Sequence, residues 1–68
     1  MPTADQRIGE IDFVSFKEAI EGWPAGTTGT VVADFGNDKM VEISNDRGEA
    51  LGFPVAPVSK LELLVKYS

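Results

Sequence analysis

The chain has 68 residues, with eleven acidic and six basic side chains for a net charge of −5, and it contains neither cysteine nor histidine. A chain this short buries only about 60% of the surface its unfolded form exposes, so it makes one core and has no material for a second. The missing thiols and imidazoles exclude disulfides and the usual zinc sets, leaving self-association as the supplement to a small core, and the acidic balance makes nucleic acid an unlikely partner.

Residues 1–10 are polar and charged and are expected to form a flexible tail, with the folded domain over 11–68. The segment has neither the basic head nor the apolar core of a signal peptide, and nowhere is there a run of the roughly 18 apolar residues that a membrane span requires. A cytoplasmic protein is the expectation. Ile11-Asp12-Phe13-Val14-Ser15-Phe16 has the aromatic and β-branched enrichment of a strand, and the adjacency of Phe13 and Val14 turns one of them away from the core. Residues 17–27 read as a long loop with room for one helical turn, which Pro24 and Gly26 end. Residues 28–35 form a strand with 29, 31, 33 and 35 inward, and Gly36-Asn37-Asp38 turns it into a returning strand, Lys39 to Ser44, with Val41 and Ile43 inward and Glu42 outward.

Asn45-Asp46-Arg47-Gly48 is a second tight turn, followed by a short strand over 50–53 with Leu51 and Phe53 on one face. Pro54 and Pro57 bar a long central strand there, and 57–60 is expected as a single 3₁₀ turn. The last segment, 61–67, is expected as a strand with Leu61, Leu63, Val65 and Tyr67 inward. A helix competes, because Leu, Glu and Lys favour helices, but seven residues are short for one and the first strand needs a closing partner. The pattern therefore predicts an all-β domain, five strands closed into a small twisted barrel. Its predicted core is Val14, Phe16, Val31, Ala33, Val41, Ile43, Leu51, Phe53, Leu61, Leu63 and Val65.

The strand Asp12 to Phe16, the run Gly26-Thr27-Thr28-Gly29-Thr30-Val31-Val32, the strand end Val41-Glu42-Ile43, the turn with Asp46 and Gly48, and Leu61-Glu62-Leu63 together resemble the small bacterial proteins grouped as domain of unknown function 4926. The resemblance covers about residues 11 to 65 and rests on residues that determine fold. It implies a stand-alone, five-stranded SH3-like barrel with no catalytic residues to carry over. Some members are similar in size and genomic setting to antitoxin or immunity proteins.

Trp23 is a candidate anchor for a partner, because a loop tryptophan beside a proline offers a large rigid surface. The bland alternative folds the indole back as a lid over the protein's own core. Phe13, Val32, Met40 and Leu64 fall out of phase with the inward set, so they are candidates for an apolar outer patch that a partner or a second copy covers. Asp34, Asp38, Glu42 and Asp46 lie near the turns, but their spacing matches no calcium loop, so solvated carboxylates are expected and no metal or cofactor. Ser15, Ser44 and Ser59 have no histidine to activate them, and Lys17, Lys39, Arg47, Lys60 and Lys66 form no basic stripe. The expected function is a non-catalytic protein-interaction module, an immunity or antitoxin protein binding a basic toxin, or a homodimer. The alternatives are a nucleic-acid or ribosome-associated binder and a small ligand-binding barrel.

Overall fold

A computed structural model describes residues 8–67. Six strands follow in chain order: β1 (Phe13–Phe16), β2 (Thr28–Asp34), β3 (Asp38–Ser44), β4 (Ala50–Gly52), β5 (Val55–Pro57) and β6 (Leu61–Val65), with a 3₁₀ turn, Val58–Lys60, between the last two. They form one antiparallel sheet in the order β4-β3-β2-β1-β6, with β5 also paired to β3.

The sheet is not closed, which corrects the expected five-stranded SH3-like barrel. A barrel needs a ladder joining its first and last strands, and no register joins β6 to β4 or β5. The segment that would supply closure is divided at Pro54. Its two halves both pair along β3, β4 at Ile43 and Ser44 and β5 at Asp38 to Met40. Each half is three residues long, and Pro57 has no N–H to donate.

Turn chemistry sets the hairpins. Gly36 has φ 91°, a left-handed angle that glycine accepts without a Cβ clash, and the Phe35 N–H donates to the Asp38 carbonyl at 2.9 Å across the two-residue connection. This hairpin joins β2 and β3 as expected, with Thr30 opposite Glu42 and Val31 opposite Val41. The loop over 17–27 contains no helix. Ile20 and Trp23 instead exchange N–H···O bonds of 2.8 and 2.7 Å around Glu21 (φ 49°) and Gly22 (φ 88°), a type I′ turn.

The core consists of Ile8, Val14, Phe16, Ile20, Val31, Val41, Ile43, Ala56 and Leu61, with Trp23, Val58 and Leu63 packed against it. Residues 1–7, most of the expected tail, lie outside the described residues. Leu51 is 56% exposed and Phe53 54%, and Val65 is also exposed, so these three leave the expected core, while Ala33 is half-buried. Phe53 lies beyond the end of β4, just before Pro54; for the other three the cause is an extra residue in a strand. Val32 is skipped between the Val31–Val41 and Ala33–Met40 pairs, Leu51 between Ile43–Gly52 and Ser44–Ala50, and Leu64 between Val14–Leu63 and Phe13–Val65. A bulge of this kind reverses the inward–outward phase of every later residue in its strand.

Two charged side chains are buried. Asp12 is 0% exposed, and its carboxylate accepts from the Gly9 N–H at 2.9 Å, the Tyr67 N–H at 2.7 Å and Lys66 Nζ at 3.1 Å. It therefore ties the entry to β1 to the chain beyond β6. Lys39 is 4% exposed and donates to Asp34 Oδ1 and the Gly36 carbonyl, which holds the β2–β3 turn from beneath. Both charges meet opposite charge or hydrogen-bond partners, which burial demands.

Candidate functional site

Side chains alternate across a strand, so the buried Val14, Val31, Val41 and Leu61 define an inner face and their neighbours an outer one. The cross-strand registers assemble the outer face in rows. Val65, Phe13, Thr30 and Glu42 form one row across β6, β1, β2 and β3, and Glu62, Ser15 and Thr28 lie beside it. Ala33, Met40 and Val55 form a third row toward the other end of β3. Asp38, two residues before Met40, falls on the same side, opposite Pro57.

The face thus combines apolar side chains (Phe13, Val65, Ala33, Met40, Val55) with three carboxylates, Asp38, Glu42 and Glu62. None of the three carboxylates is in an ion pair among the described residues. Among the described residues, no lysine or arginine within the strands lies on this face. Lys39, the one basic residue within the six strands, points inward, and the other described ones, Lys17, Arg47, Lys60 and Lys66, lie in turns or beyond strand ends. Lys60 pairs with Glu18 at 3.7 Å, Lys66 with Asp12, and Arg47 with Glu49 at 3.9 Å.

Of the residues proposed from sequence, Phe13 and Met40 are on this face. Val32 and Leu64 are the extra residues of two bulges, so each stands outside the cross-strand rows while remaining exposed. Trp23 is on the opposite side. Gly52 registers with the inward Ile43, and a Cβ built on Gly52 would lie 2.6 Å from Trp23 Cζ2, so the edge of the indole at Cζ2 abuts that glycine and the ring packs on the core. The outer-face candidates and Trp23 therefore lie on opposite sides of the sheet, with Val32 and Leu64 exposed but outside the cross-strand rows. Val65 and Val55 were missed as outer residues because the bulge at Leu64 and the division at Pro54 leave no trace in apolar periodicity.

Next to this face the backbone holds an unusual conformation. The Asp12 N–H donates to the Gly9 carbonyl at 3.1 Å, with Ile11 at φ 63° in the third position of the turn. That is the glycine position of a type II turn. The Ile11 N–H continues to the Val31 carbonyl at 2.6 Å, and Ile11 is 58% exposed.

Asp34 is occupied by Lys39 and by the Gly36 N–H at 2.9 Å, and the Lys39 hydrogen bond, followed by that N–H, lowers its carboxyl below the ordinary value of 3.8. Among the described residues, no helix is long and apolar enough to cross a membrane, and no three metal-ligating side chains come together. Comparison with family models, with curated proteins and with solved structures found no match to this chain.

Proposed function

We propose that this chain is a non-catalytic protein-binding module whose outer sheet face docks a basic protein. One observation carries the reading: apolar side chains and unpaired carboxylates share a face from which every lysine and arginine of the strands is absent. An apolar centre excludes water, and acidic neighbours steer and orient a positively charged partner. Two copies meeting through this face would set like charges against each other, and nucleic acid would meet the same repulsion. The more specific assignment, an immunity or antitoxin protein holding a toxin, rests on the family resemblance alone.

The test is affinity capture with the wild type, followed by titration of the captured protein against variants. Phe13→Ala is expected to weaken binding by about tenfold or more, the range of a central anchor, and Glu42→Lys to slow association. Capture of a basic protein that binds Phe13→Ala and Glu42→Lys as tightly as the wild type contradicts the reading.

A further inference from the structure

We infer that the partner contributes an extended strand, with basic and apolar side chains alternating, that adds to the free edge of β6. The inference rests on the outer-face reading and specifies how that face is reached. The sheet ends at two edges. On the β4 and β5 side the edge is two three-residue pieces divided at Pro54 and closed by Pro57, which gives an incoming strand too little backbone to pair with. On the other side β6 runs Leu61–Val65 with no proline, and no described strand lies beyond it. Its outward N–H and C=O groups form a ready ladder for an added strand.

Charge specifies what that strand carries. The one charged residue of β6 is Glu62, exposed and without an ion pair, and one strand further in, Ser15 and Phe13 lie opposite Glu62 and Val65. An added strand continues these rows. A lysine or arginine then falls beside Glu62 on the outer face, and the alternate, apolar side chains fall on the inner face beside Leu61 and Leu63, which lie opposite Phe16 and Val14.

The experiment titrates labelled peptides of about ten residues, long enough for a full strand, against the wild type, read by fluorescence anisotropy and amide chemical shifts. The probes are an alternating Lys/Val peptide, the matching Glu/Val peptide, and the Lys/Val peptide with its central backbone amides N-methylated, which keeps the side chains and removes the donors. The expected result is binding of the first, with the largest shifts in β6, and at least tenfold weaker binding of the other two. Glu62→Lys should weaken the first probe by a similar factor. Equal binding of the methylated peptide, weakened by Phe13→Ala, overturns strand addition while leaving the outer-face reading in place. Failure of the Lys/Val peptide to bind, or equal binding of the Glu/Val peptide, overturns the inference, and the face reading is then decided by the captured protein.

Discussion

Ile11 holds a conformation that works against it. A β-branched L-residue at φ 63° crowds its Cβ against the following carbonyl, at a cost of about 1–2 kcal/mol, and most of that side chain stands in water. The buried Asp12 carboxylate makes the conformation persist, because it bonds Gly9, Lys66 and Tyr67 and fixes the turn from both sides. Ile11→Gly should raise stability by about 1 kcal/mol, the relieved strain less the extra freedom of an unfolded glycine. The urea midpoint is the readout, and a lower midpoint than wild type would show that Ile11 makes contacts worth more than its strain. Asp34 gives a pH dependence of definite sign. Its folded carboxyl titrates below 3.8, so the unfolded chain holds more protons in that window, and the stability it contributes is complete above 3.8 and lost as pH falls through the folded value. Asp34→Asn should flatten the acid limb of the stability profile, and an unchanged limb would mean that the Lys39 pair contributes nothing. Neither residue was legible in sequence. A left-handed isoleucine has no compositional signature, and an aspartate or lysine in a strand pattern reads as a solvated group until its partners are known.

At the level of elements, the β2–β3 hairpin depends on Gly29. A Cβ there would sit 2.6 Å from the Glu42 carbonyl oxygen and 2.6 Å from Val41 Cγ1, and the first of these is backbone that has little room to move. Gly29→Ala is expected to destabilise by about 1–3 kcal/mol through overpacking, measured as a lowered melting temperature, and an unchanged one would mean that β2 and β3 separate easily. The turns were the most legible features. Gly36-Asn37 and Asn45 to Gly48 announce themselves because only a few residue types accept their backbone angles. Six of the eleven predicted core residues, Val14, Phe16, Val31, Val41, Ile43 and Leu61, are buried, and each lies in a strand before any extra residue or directly opposite one that does. Val65 failed because period-two reasoning carries a bulge forward as an error, Leu51 because it is itself an extra residue, and Phe53 because it lies beyond the end of β4. Val32 and Leu64 are themselves extra residues, exposed but outside the cross-strand rows, and the bulge at Leu64 hid Val65.

For the molecule as a whole, the open sheet decides what the surface offers. Strand number and closure were the parts least legible, because they depend on where Pro54 divides the chain and on which edge each short piece chooses, both long-range outcomes. An open sheet leaves β6 paired on one side, and that free edge, next to an acidic and apolar face, is what a partner strand would use. Native-state hydrogen exchange resolved by residue tests this most directly. Across Leu61–Val65 the account predicts a split, with amides directed at β1 protected and the intervening amides, directed away from it, exchanging at rates near those of unstructured peptide. Uniform protection along all of β6, as in a strand paired on both edges, would contradict the open sheet and the free edge together.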